Sequence, residues 1–104
     1  MKCLSDENMN IKQADEYIKN NFDEFINDLK KLLAQPSLSS TGEGVKECTD
    51  LVQNLCKDYG FDDTQVIETS GQPSVVAKAF VEHEANNDFP NILIYGHYDV
   101  QPVD

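Results

Sequence analysis

The sequence predicts an α/β fold, because two helical segments are followed by three short strands. Apolar residues recur every three to four positions in the first half of the chain, which is the period of an amphipathic helix. In the second half, short runs of β-branched residues are bounded by glycine, proline and polar residues, a pattern typical of strands. The expected order is therefore helix, helix, strand, strand, strand.

The first helix is predicted to span residues 12–34. Its apolar positions repeat at helical spacing and are Ile18, Phe22, Phe25, Ile26, Leu29, Leu32 and Leu33. Asn10 and Gln13 can form a capping pair at its start. Pro36 disfavours helical angles in the residue before it, so the helix is expected to end there. Residues 1–11 are expected to be flexible.

The second helix is predicted to span residues 43–58, with Gly60 as its left-handed cap. A stripe of side chains at steps of three and four lies along it: Val45, Cys48, Val52, Leu55, Cys56 and Tyr59. Cys3 makes the number of cysteines odd, and no Cys-x-x-Cys spacing occurs, so neither a disulfide framework nor a zinc ribbon is expected. Cys48 and Cys56 are expected to be buried free thiols.

Three strands are predicted after the second helix. Residues 64–69 and 74–82 are expected to pair as a hairpin, joined by the turn sequence Ser-Gly-Gln-Pro at residues 70–73. Residues 91–95 form the third predicted strand. This strand is apolar on both faces, so it is expected to be buried on both sides.

His97 and Asp99 are the candidate site residues, because they follow the third predicted strand at its carboxyl end, where open α/β sheets place their ligands. Side chains two positions apart in extended chain point to the same face, so the pair is expected to lie side by side. An imidazole that binds zinc usually donates its other N–H to a carboxylate. The pair fits a metal ligand with its orienting residue, and on its own it also fits an ordinary surface pair at a turn.

The longer string Gly-His-Tyr-Asp-Val-Gln-Pro at residues 96–102 favours the metal ligand over the ordinary surface pair. It resembles the first metal motif of the zinc-dependent aminoacylase/carnosinase/succinyl-diaminopimelate desuccinylase family of metallopeptidases, and most of all the dipeptidase branch. Residues 25–39, which end in Pro-Ser-Leu-Ser, resemble the opening helix of that family and its exit. The resemblance spans residues 12–104, and its specific part is the string at 96–102.

The resemblance implies a fold, a cofactor and two residue roles. Residues 1–104 would be the N-terminal, incomplete segment of a three-layer α/β/α zinc-peptidase catalytic domain. His97 matches the first zinc ligand, and Asp99 matches the catalytic-site aspartate that orients it. The complete enzyme would hold two zinc ions, for which manganese or cobalt could substitute. It would hydrolyse the peptide or amide bond of a dipeptide or an N-acyl amino acid with metal-activated water.

A catalytic zinc site needs about three protein ligands, so the motif alone does not complete one. The segment is therefore expected to be inactive by itself. The alternative interpretation is a non-catalytic acidic interaction module or a truncated gene product. In the isolated segment the apolar strand at 91–95 would expose an open edge, so self-association is expected.

The composition argues against other classes of function. There are 19 acidic and 8 basic residues, and the formal net charge of -11 opposes binding to nucleic acid or anionic membranes. No apolar run approaches the roughly 18 residues of a membrane span, and the amino terminus lacks a signal-peptide core, so a cytoplasmic location is expected.

His83, between two glutamates, is expected to be a solvated loop residue rather than a second ligand.

Overall fold

A computed structural model describes residues 11–80 and 90–103 of the 104-residue chain. Along these residues lie three helices and one two-stranded antiparallel sheet. The helices are α1 (Ile11–Asn20), α2 (Phe22–Ala34) and α3 (Val45–Asp58), and the strands are β1 (Asp63–Ile67) and β2 (Ser74–Lys78). The predicted α/β class is confirmed. None of the helices in these residues is long and apolar enough to cross a membrane.

The predicted first helix is interrupted at Asn21, so the expectation of one continuous helix is wrong. Asn21 has φ -114° and ψ 11°, outside the helical range, and it separates α1 from α2. Its side-chain amide donates to the carbonyl of Tyr17 at 2.8 Å, the same carbonyl that its backbone N–H contacts at 3.1 Å. This competition between side chain and backbone is a common cause of local departures from helical geometry. Asn10, half of the predicted capping pair, lies outside the described residues.

Both helix ends predicted from proline and glycine are present. α2 ends at Ala34, and Gln35 takes the extended angles φ -78° and ψ 119° that a following proline favours. Gly60 has φ +87° just beyond α3, as expected for a left-handed cap. The start of α3 differs by two residues from the prediction, because Gly44 has φ +70° and the helix begins only at Val45.

The core lies where α3 packs against its neighbours. α3 contacts both strands and α2. Val45 and Cys48 are 2% and 1% exposed, which confirms that Cys48 is a buried free thiol, whereas Cys56 is only half-buried. The predicted stripe therefore has its most buried part in the first turn of α3, and this turn faces the segment that carries His97.

The predicted hairpin is present with shorter strands. β1 and β2 pair in antiparallel register, with Val66 opposite Val75. β1 spans Asp63–Ile67 rather than residues 64–69, and β2 ends at Lys78 rather than at residue 82. Residues 81 and 82 lie outside the described part of the chain. The turn between the strands comes close to the candidate site, where Tyr98 contacts the carbonyl of Pro73.

The predicted buried strand at residues 91–95 is wrong for this structure. The chain there has no regular secondary structure, and Ile92, Leu93 and Ile94 are 83%, 92% and 90% exposed. A strand requires a neighbour that accepts and donates its backbone hydrogen bonds, and one that is apolar on both faces also needs cover on both sides. Within the described residues the sheet has two strands, and neither pairs with this segment. Without such a partner, the apolar side chains of this segment remain exposed.

Candidate metal-binding site

The candidate site lies in residues 97–100, which the loop after α2 holds against the rest of the chain. The backbone N–H of Val100 donates to the carbonyl of Ser37 at 2.8 Å. Val100 and Leu38 also form an isolated parallel bridge. Ser37 is 1% exposed, so this attachment is buried at its centre. The loop, rather than a neighbouring strand, therefore positions the end of the motif.

Tyr98 anchors the same segment to α3 and to the hairpin. Its hydroxyl donates to the carbonyl of Pro73 in the hairpin turn, and the hydroxyl of Thr49 on α3 lies 3.0 Å away. The thiol of Cys48 lies 3.9 Å from the backbone carbonyl of Tyr98, which accepts from it. Thr49 and Cys48 are both buried. Tyr98 thus joins its own segment to α3 and to the hairpin turn. His97 and Asp99 are its two neighbours in the chain, so this anchor holds both of them in place.

The side chains of His97 and Asp99 lie side by side, as the sequence predicts. Nδ1 of His97 is 3.0 Å from Oδ1 of Asp99 and 3.0 Å from the backbone carbonyl oxygen of Asp99. Both partners can accept a hydrogen bond, so this geometry favours the tautomer that carries its hydrogen on Nδ1. In that tautomer the lone pair of the ring is on Nε2. The His97 side chain is 74% exposed, so the ring is accessible to a ligand.

The second oxygen of the Asp99 carboxylate is also occupied. Oδ2 accepts a hydrogen bond of 2.8 Å from the hydroxyl of Ser39. This bond is the main cause that lowers the pKa of Asp99 below its usual value, and the backbone N–H of Asp99 and the bond to His97 act in the same direction. Asp99 is therefore an ionised acceptor at neutral pH. The residues around Ser39 do not by themselves predict a role for it, and the signal that points to this position is the Pro-Ser-Leu-Ser exit of α2.

A cleft of about 730 Å³ lies beside this pair, between β2, the start of α3 and the segment 93–99. His97 and Asp99 line it, together with apolar side chains that include Val45 and Val75. Its volume falls in the range of roughly 300–1,000 Å³ that is usual for small-molecule sites. The cleft is thus large enough to hold a small molecule beside His97.

A metal ion requires several donor side chains around one point. Within residues 11–80 and 90–103, no group of three or more His, Cys, Asp or Glu side chains is arranged to hold a metal. Burial raises the pKa of the Cys56 thiol, which disfavours the thiolate that binds metals. His83 lies outside the described residues. The imidazole of His97, oriented by a carboxylate, suits zinc as one ligand of the about three that a catalytic site uses.

Part of the chain matches a curated protein. The Cys-Gly metallodipeptidase DUG1 of Candida albicans is 37% identical over 90 residues, which cover 76% of this chain and 19% of that relative. This chain is similar to a metallodipeptidase. It spans about a fifth of the relative's length. No family model matches the chain, and no solved structure matches it.

The similarity supports a metallopeptidase family and the class of metal-dependent hydrolases. It agrees with the resemblance carried by residues 96–102, at the level of this broad class. The relative's name specifies a metal and a dipeptide, Cys-Gly, for that protein.

Proposed function

We propose that this chain supplies the first metal-binding segment of a zinc-dependent dipeptidase-type hydrolase. His97 is the metal ligand through Nε2, and Asp99 is the residue that orients it. The observation that carries this proposal is the contact of Nδ1 of His97 with two oxygen atoms of Asp99, both at 3.0 Å. The similarity to a metallodipeptidase supports the same proposal independently of the geometry.

Asp99 and Tyr98 would have different roles in this site. Asp99 keeps the hydrogen of His97 on Nδ1, and its negative charge increases the electron density at Nε2. The Tyr98 anchor keeps the two side chains at the wall of the cleft, where a small substrate can reach them. When bound, zinc supplies Lewis-acid activation of water and of the scissile carbonyl. The complete site would hold two zinc ions, and manganese or cobalt accept the same donors.

The proposed substrates are dipeptides or N-acyl amino acids, a class supported by the name of the relative. By itself the 104-residue chain is proposed to be inactive, since the described residues offer His97 and no group of three metal-binding side chains.

A cytoplasmic location is also proposed. The free thiols of Cys48 and Cys56 support it, because reducing compartments keep cysteines unpaired.

A second candidate function is an acidic interaction module. The observation that favours it is the exposed apolar run at residues 92–95, in a chain whose formal net charge is -11. Such a module needs no metal. The response of His97 to zinc therefore separates the two candidates.

The test is a zinc titration of the chain labelled with ¹⁵N-histidine, followed by long-range ¹H–¹⁵N NMR. We expect His97 to carry its hydrogen on Nδ1 before zinc is added, and its Nε2 resonance to shift during the titration. His97→Gln should abolish this response. His83→Gln is the matched control, because it removes the other histidine of the chain. A hydrogen on Nε2 of His97, or a zinc response confined to His83, would contradict the proposal.

A further inference from the structure

We propose that Ser39 is a positioning residue of this site, whose hydroxyl holds the Asp99 carboxylate in the orientation that keeps the hydrogen of His97 on Nδ1. The inference rests on the proposed function, in which Nε2 of His97 is the metal-binding atom. It adds to that proposal a residue from a different part of the chain, 60 positions away from Asp99.

The contacts that carry the inference occupy both oxygens of one carboxylate. Oδ2 of Asp99 accepts from Oγ of Ser39 at 2.8 Å, and Oδ1 of Asp99 lies 3.0 Å from Nδ1 of His97. The terminal torsion of an aspartate is intrinsically broad, so a carboxylate that is held at one oxygen turns easily. A carboxylate held at both oxygens cannot turn without breaking a hydrogen bond. Ser39 thereby restricts the carboxylate that orients the imidazole.

The Ser39 hydroxyl is itself presented by a loop that is held at several points. The backbone carbonyl of Ser39 accepts a hydrogen bond of 3.2 Å from the side-chain amide of Gln72 in the hairpin turn. The backbone N–H of Leu38 donates to the carbonyl of Glu43 at 2.9 Å. Ser39 is half-buried, so water competes less with its bond to Asp99 than at an open surface. The hydroxyl therefore has a defined position before any ligand binds.

The key variant is Ser39→Ala, which removes the hydroxyl and leaves the backbone bond to Gln72 in place. Ser39→Thr keeps a hydroxyl and is the rescue variant. Ser39→Cys is nearly isosteric with serine and a weaker donor, and it substitutes for the alanine variant if that one loses its folded amide spectrum. Ser40→Ala is the matched control, because Ser40 is the exposed neighbour in the same loop.

The experiment has two measurements on the chain labelled with ¹⁵N-histidine. Without metal, Ser39→Ala should move the two ¹⁵N shifts of the His97 ring toward each other. The backbone carbonyl of Asp99 is then the one acceptor that stays fixed beside Nδ1, so the tautomer with its hydrogen on Nε2 becomes more populated. Ser39→Thr and Ser40→Ala should keep the wild-type shifts. With zinc, Ser39→Ala should weaken binding about 10-fold, the lower end of the effect usual for groups that orient a metal ligand. A change that merely loosened the fold would not alter the tautomer selectively.

The outcomes separate the inference from the function on which it rests. Wild-type tautomer shifts in Ser39→Ala, or a failure of Ser39→Thr to restore them, would overturn the role of Ser39. If wild-type His97 shows no zinc response while Ser39→Ala still redistributes the tautomers, the proposed metal function fails and the positioning by Ser39 stands. If the tautomer redistribution and the zinc response both occur as expected, Ser39, Asp99 and His97 form one chain of hydrogen bonds that ends at a metal ligand.

Discussion

Tyr59, just beyond α3, donates a hydrogen bond of 2.6 Å to the carboxylate of Asp28 on α2. Lys31 contacts the other oxygen of the same carboxylate at 2.8 Å. The ring of Tyr59 also lies 5.7 Å from that of Phe25, centroid to centroid. These contacts connect the end of α3 to the middle of α2, so the pair stabilises the arrangement of the two helices.

This pair makes stability depend on pH at both extremes. The bonds from Lys31 and Tyr59 lower the pKa of Asp28 below 3.8, so its contribution is present above that value and is lost as the pH falls further. The bond to Asp28 raises the pKa of Tyr59 from 10.0 to about 12, so its contribution is present below pH 10 and is lost as the pH rises toward 12. We expect the urea midpoint to fall in both windows.

Tyr59→Phe isolates the alkaline effect, because it removes the hydroxyl and keeps the ring against Phe25. The urea midpoint of this variant should be lower than that of the wild type at pH 7, and its change between pH 10 and 12 should be smaller. Asp15→Asn is the control, since Asp15 is exposed on α1. Equal alkaline profiles for wild type and Tyr59→Phe would show that the Asp28 bond does not stabilise the fold.

Gly44→Ala should destabilise the chain. Gly44 has φ +70°, and a Cβ at this position would collide with the backbone carbonyl of Pro36. Left-handed angles in a residue other than glycine cost about 1–3 kcal/mol, so the free energy of unfolding should fall by at least about 1 kcal/mol. Gly96→Ala is the matched control, because a Cβ there meets no atom within 4 Å. Urea denaturation measures both, and an equal loss in the two variants would contradict this account of Gly44.

Asp99→Asn should weaken zinc binding to His97 by roughly 10- to 100-fold, the range usual when a group that orients a metal ligand is replaced. The amide keeps the size of the side chain, but it loses the charge and can turn an N–H₂ group toward Nδ1. Where the N–H₂ group faces Nδ1, the hydrogen of His97 moves to Nε2 and blocks the metal. Calorimetric zinc titration measures the affinity, and Asp23→Asn on α2 serves as control. Unchanged affinity in Asp99→Asn would remove Asp99 from the site.

The exposed apolar run predicts self-association. Ile92, Leu93, Ile94 and Tyr95 are 83–92% exposed. Such contiguous apolar surface favours contact with another chain. Sedimentation velocity should show a concentration-dependent shift to larger species. The double variant Ile92→Gln and Ile94→Gln should reduce this shift without altering the net charge, whereas Val103→Gln, at a single exposed apolar position, should not. A wild-type monomer at all concentrations would contradict the prediction.

Local signals in the sequence were sufficient to predict helix ends and turns where a residue constrains its own backbone. Pro36 ends α2, and Gly60 follows α3 with the left-handed angles that glycine tolerates. The turn chemistry at residues 70–73 joins two strands in antiparallel register. The apolar repeat gives no sign of the interruption at Asn21, because it continues across this residue. The interruption coincides with a hydrogen bond from the Asn21 side chain to the carbonyl of Tyr17.

The sequence by itself determined the α/β class, the helix ends, the hairpin and the proximity of His97 to Asp99, because these depend on neighbours within a few residues. The tertiary structure alone decided whether residues 91–95 form a strand, because a strand needs a partner that no local pattern supplies. It also decided that Ser39 holds Asp99, since this bond spans 60 positions. A hydrogen bond between such distant residues exists only where packing brings them together, and here the Val100 bridge and the Tyr98 anchor do so.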